Sequence, residues 1–95
     1  MLNLEGRHRT LVVQILSKYP YNFYVFGSRV KEKAGRFSDL DLFCYEQIPI
    51  AHLVHLQEEF EESDLPFKVD IICSGDCDAS FRDSILGDLT PIGRE

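Results

Sequence analysis

No apolar run in this chain approaches the roughly 18 residues a membrane-spanning helix requires, so no membrane partner is expected. The opening Met1-Leu2-Asn3-Leu4-Glu5 lacks a basic segment followed by an apolar stretch, so no secretory signal is visible. Cysteine is scarce. Three residues, an odd number without framework spacing, suit reduced thiols in a cytoplasmic protein better than a disulfide scaffold. Basic residues are also short, with 10 Lys+Arg against 16 Asp+Glu and a net charge of −6. That balance argues against direct nucleic-acid binding by phosphate neutralisation. Internal repeats, low-complexity tracts and linkers are absent. What is present, 44% hydrophobic residues with 12% aromatics, is enough for a globular chain. A single domain over residues 1–95 is expected, near the small end of what buries its own core.

The charges are unevenly placed. Arg29, Lys31, Lys33 and Arg36 stand against one acid, Glu32, whereas Glu58, Glu59, Glu61, Glu62 and Asp64 occur without a base. A local basic loop in an acidic chain suits a small anion better than a long polyanion.

Leu11, Val12, Ile15 and Leu16 recur at helical spacing and predict a helix over roughly residues 4 to 18, ending before Pro20. The aromatic and β-branched run from Asn22 to Phe26 predicts a strand, broken by Gly27-Ser28. A charged stretch with room for one or two helical turns follows, closed by Gly35. The alternation from Asp39 to Tyr45 predicts a second strand. Pro49 suits a helix start, and Ile50, Leu53, Val54, Leu56 and Phe60 carry that helix to about Ser63. Phe67 to Ile72 predicts a third strand. Asp76 or Asp78 can N-cap a last helix holding Phe81, Ile85 and Leu86, ended by Gly87. The order α-β-α-β-α-β-α implies an α/β fold, a three-stranded mixed sheet covered by helices. Residues 46 to 66 are long enough for a helical crossover, which allows a parallel strand pair.

Three features carry chemistry. Gly27-Ser28 lies where a strand meets a short helix; glycine permits a sharp turn and close approach, and the helix start offers N–H groups to phosphate. Alone, such a pair is usually a plain turn. Asp39-Leu40-Asp41 places two carboxylates on one face of a strand, about 6.6 Å apart, while Leu40, Leu42 and Cys44 face the core. Two such acids repel each other, and Mg²⁺ held by one or two carboxylates plus substrate phosphates removes the repulsion. An isolated pair of this kind is more often two exposed acids. Asp70 stands inside the apolar strand Phe67-Lys68-Val69-Asp70-Ile71-Ile72, where an aspartate is costly to bury alone. Beside the Asp39–Asp41 strand it joins the acids around one or two metals, or serves as general base for an incoming hydroxyl. A strand-end acid tied to Lys68 or Arg82 is the plainer account.

The stretch Phe26-Gly27-Ser28-Arg29, the ten residues Arg29 to Ser38, and Asp39-Leu40-Asp41 together resemble the GS-x10-D-x-D motif of the DNA polymerase β-like nucleotidyltransferase superfamily. Val69-Asp70-Ile71 resembles its third-acid strand. In size the chain is similar to minimal nucleotidyltransferase (MNT) proteins over roughly residues 5 to 92. Its loop departs from the usual Gly-Ser-Arg-Ala-Arg-Gly, since Val30, Lys31 and Glu32 follow Arg29.

The resemblance implies a small nucleotidyltransferase fold and an antitoxin paired with a HEPN-domain ribonuclease toxin. It implies transfer of AMP from ATP to a tyrosine of that toxin, with one or two Mg²⁺. Gly27, Ser28 and Arg29 would bind the nucleotide, with Lys31 a further phosphate candidate. Asp39, Asp41 and Asp70 would bind metal and serve catalysis. Arg82 is a weaker phosphate candidate; a surface ion pair with Asp78 or Asp83 is the plainer role. Two alternatives stand beside this reading: a non-catalytic nucleotide-binding antitoxin acting by complex formation, and a small-molecule transferase of the aminoglycoside type. A homo- or hetero-oligomer fits either antitoxin role. Cys73 and Cys77 lack paired zinc spacing, and His52 and His55 sit on a separate helix. The glutamates of residues 58 to 62 read as a solvated helix face.

Overall fold

The computed structural model describes residues 2, 4–31, 35 and 37–93. Lys33, Arg36 and Glu32, part of the expected basic loop, lie outside the described residues.

Each stretch with helical or strand periodicity forms the expected element. Helix α1 runs Gly6–Leu16 and buries Val12, Ile15 and Leu16. Strands β1 (Phe23–Phe26) and β2 (Leu40–Cys44) follow, separated by a 3-10 turn at Gly27–Arg29. Helix α2 (Ile50–Glu62) begins directly after Pro49 and buries Leu56 and Phe60. Ile50 and Val54, on its other side, are exposed. Strand β3 is Val69–Cys73 and helix α3 is Ala79–Ile85. Of the two candidate caps it is Asp78 that serves, its Oδ1 accepting the Phe81 N–H at 2.8 Å.

The sheet has four strands in the order β3-β2-β1-β4. The added strand, β4 (Thr90–Ile92), pairs antiparallel with β1. Three residues with a proline at the centre show no alternation, so it is invisible to sequence periodicity. As an edge strand it tolerates Pro91, which could not serve as a donor in a central ladder. β1 and β2 are antiparallel, and β2 and β3 are parallel, joined through α2 as the length of that connection allows.

Alternation gives the sheet two different faces. On one, Val25, Leu40, Leu42 and Cys44 pack with Val12, Leu16, Leu56 and Phe60 beneath α1 and α2. On the other, Phe26 and Phe43 pack with Ile85 and Phe81 of α3 in a smaller cluster. That cluster covers only part of its face. The start of β2 and of β3 extends beyond it.

Candidate active site

The cross-strand register puts Phe26 opposite Asp41, and Asp41 opposite Asp70. Residues directly opposite each other in a sheet point to the same face. Asp41 and Asp70 therefore share the α3-side face, and Asp39, two residues before Asp41, alternates onto it as well. Asp39 and Asp70 are exposed, while Asp41 is half-buried. The Asp41 carboxyl is raised above its usual range, first by burial, then by the charges of Asp70 and Asp39.

Gly27 closes the other side of this group. Its φ is +82°, a conformation glycine adopts readily and L side chains rarely. A Cβ at this position would also stand 2.8 Å from Asp41 Oδ2. Glycine is thus required twice, by the backbone and by the carboxylate beside it. The turn it opens is a 3-10 turn of three residues, Gly27–Arg29. So short an element has little dipole; it offers individual N–H groups, at a point directly beside the acids.

Arg29 is buried, with 4% of its surface exposed. Its Nε and Nη2 donate to the Ser38 carbonyl at 3.1 and 2.7 Å, and its guanidinium lies 4.1 Å over the Phe67 ring. Burial lowers its pKa, and the negative charge of Asp39 opposes that shift. The side chain therefore braces the residue immediately before Asp39. Lys31 pairs with Asp88 at 3.2 Å, tying the far end of the turn to the segment after α3. Arg82 donates from Nη1 to the Ser74 carbonyl at 3.0 Å and hydroxyl at 3.2 Å, holding the turn after β3.

Among the described residues, no group of three or more His, Cys, Asp or Glu side chains is placed so as to hold a metal ion. Asp39, Asp41 and Asp70 nevertheless fit one in their chemistry: hard oxygen donors, partly desolvated at Asp41 and mutually repelling. The three cysteines are free, and Cys44 and Cys73 are buried on the opposite face. Burial pushes the Cys44 thiol up to about 12, which leaves it protonated and unreactive.

Two features of the site lay outside the sequence reading. One is the Ser38 carbonyl as the anchor of Arg29. The other is a pocket beside Asp70, where α2 passes β3. Backbone acceptors carry no residue signature, and the α2 residues of the pocket sit in a glutamate run that reads as plain surface.

A small mixed sheet that sets a glycine-serine turn against acids on two neighbouring strands is the framework of nucleotidyl transfer. A family model described as polymerase beta, nucleotidyltransferase matches residues 12–92, and the chain belongs to that family. It is a nucleotidyltransferase. Among curated proteins it is similar to a probable protein adenylyltransferase, MntA, of Haemophilus influenzae. The two are 38% identical over 88 residues, which cover 88% of this chain and 77% of the relative. Among the described residues no helix is long and apolar enough to cross a membrane.

Proposed function

We propose that this protein transfers AMP from ATP to a tyrosine hydroxyl of a partner HEPN ribonuclease toxin in the cytoplasm, and so acts as its antitoxin. The observation that carries the reading is the row Phe26–Asp41–Asp70 ending beside Gly27. It gathers the acids of two strands next to a turn whose backbone can approach a phosphate. Similarity to a probable protein adenylyltransferase supports AMP as the group and a protein as the acceptor.

Gly27 and Ser28 cradle the β- and γ-phosphates with backbone N–H groups and the Ser28 hydroxyl. Arg29 adds positive charge to this end of the sheet from its buried position while bracing the Asp39 segment. Asp39, Asp41 and Asp70 are the donors that would hold Mg²⁺, whose charge, when bound, offsets that of the triphosphate. Asp70 lies on the edge strand, where an acceptor can reach it, and takes the proton of the tyrosine hydroxyl. That oxygen forms a bond to the α-phosphorus, and the bond from the α-phosphorus to the pyrophosphate leaving group breaks. Positioning and charge stabilisation supply the catalysis.

The test is to incubate the protein with its partner, α-labelled ATP and Mg²⁺. Label should appear on the partner and pyrophosphate should be released. Asp39→Ala or Asp41→Ala should abolish labelling while leaving the complex intact. Equal protection against the toxin by wild type and both variants, without label transfer, would replace this reading with antitoxin action by binding alone.

A further inference from the structure

A pocket of about 150 Å³ opens between the C-terminal half of α2 and the start of β3. Asp70 lines it, together with Phe60, Glu61, Phe67, Lys68 and Val69. Phe60, Phe67 and Val69 are buried, whereas Glu61, Lys68 and Asp70 are exposed. The pocket therefore has an apolar base and a charged mouth with two acids to one base. Its base is held firmly. Phe67 carries the Arg29 guanidinium over its face at 4.1 Å and meets the edge of His8 at 5.6 Å between ring centres.

The volume lies below the roughly 300 Å³ at which small-molecule sites begin, and suits a single long side chain. Chemistry narrows the choice. Lysine and arginine combine an apolar stem, which packs on aromatic rings, with a cationic head that stays at a polar rim. Here a stem would lie along Phe60, with Phe67 at the base already capped by Arg29, and the head would reach Glu61. Glu58, Glu62 and Asp64 are exposed around the same end of α2 and extend the negative field. An acidic side chain would meet Lys68 but face Glu61, Asp70 and that field.

We propose that this pocket seats a lysine or arginine side chain of the acceptor polypeptide, flanking the hydroxyl-bearing residue presented to Asp70. The inference rests on the protein-directed transfer proposed above. In an extended segment, residues two apart are about 6.6 Å apart on one side of the chain. β3 is the edge strand and Asp70 belongs to both the pocket lining and the α3-side face, so a segment crossing that edge reaches from the pocket to the Asp70 carboxylate within about two residues. The acceptor is selected by its flanking charge as well as by its hydroxyl.

The experiment uses the full chain and two fluorescent nonapeptides with a central tyrosine. They are identical except that the residues two before and two after the tyrosine are arginine in one and glutamate in the other. Polarisation should show the arginine peptide binding at least about tenfold more tightly at low salt. Glu61→Lys should remove that preference with melting unchanged, because Glu61 is exposed. Asp83→Lys, on exposed α3 surface, makes the same change in net charge and should leave the preference intact. Equal binding of the two peptides overturns the proposal, as does a preference lost equally in both variants, which would reflect net charge alone. Selective binding without AMP transfer to the partner would sink the transfer reaction and leave the pocket standing; transfer without selectivity would do the reverse.

Discussion

Two adjacent cross-strand rows of the same sheet have opposite fates. Val25, Leu42 and Ile71 form one row; Phe26, Asp41 and Asp70 form the next. The first turns toward α1 and α2, where Val25 and Leu42 lose all contact with water. The second turns toward α3, which covers Phe26 but leaves Asp70 exposed. One residue of displacement along each strand separates a core from a site, because side chains alternate. Stability is concentrated on one face. The other tolerates mutual repulsion among acids, which a bound cation or protonation relieves.

The largest effect expected from breaking this contrast lies on the covered row. Leu42→Ala removes a fully buried side chain and should cost about 2–5 kcal/mol in urea unfolding, a large share of a small domain's stability. Next comes Gly27→Ala, which strains a positive φ and drives a methyl toward Asp41 Oδ2. It should cost about 1–3 kcal/mol and displace the carboxylate, so the thermal shift given by ATP plus Mg²⁺ should collapse too.

Asp41→Asn is expected to act in the opposite direction on stability. The raised carboxyl means the acid is penalised in the folded state when ionised. Its favourable contribution is therefore present below the ordinary value of 3.8 and is lost as pH rises through the higher folded value. The variant should melt a few degrees above wild type at neutral pH, and the gain should vanish as pH falls below 3.8. In wild type, ATP and Mg²⁺ together should raise the melting temperature more than either alone; in the variant that synergy should disappear.

The smallest effect lies off both rows, at the margin of the covered face. Tyr19 donates to Glu59 at 2.6 Å, and Glu59 also accepts from Lys18 at 2.6 Å. Burial and the neighbouring carboxylate push the Tyr19 hydroxyl up to about 12 from 10.0. It stabilises the fold below 10.0, and that contribution is lost as pH rises through about 12. In an ultraviolet titration one tyrosine should ionise about two units above its ordinary value, and Tyr19→Phe should delete that step.

Glu59 also shows where a local reading stops short. As one of a run of glutamates it reads as solvated surface, yet it joins α2 to the end of α1 through Lys18 and Tyr19. Arg29 behaves likewise. Its place next to Gly27-Ser28 points to phosphate, while its side chain turns inward to Ser38 and Phe67. Charged residues of long reach are poorly placed by sequence because their partners lie at distant positions. An uncharged side chain can do the same: the Tyr21 hydroxyl lies 2.8 Å from His52 Nδ1 on α2.

Periodicity and turn chemistry alone were enough for α1, α2, β1, β2 and β3, for narrowing the last cap to Asp76 or Asp78, and for the facing of Leu40, Leu42 and Cys44 away from Asp41. These are local properties: a period of 3.6 or 2, a glycine, an N-cap, a proline at a helix start. Tertiary structure alone decided that Asp41 stands opposite Asp70, that Pro91 closes the sheet in β4, and that Arg29 turns inward to Ser38 and Phe67. It also set α2 against β3 to form the pocket beside Asp70. The physical reason is common to all four. Register, edge position and burial depend on which surfaces pack when distant segments meet, and that outcome is shared among residues tens of positions apart.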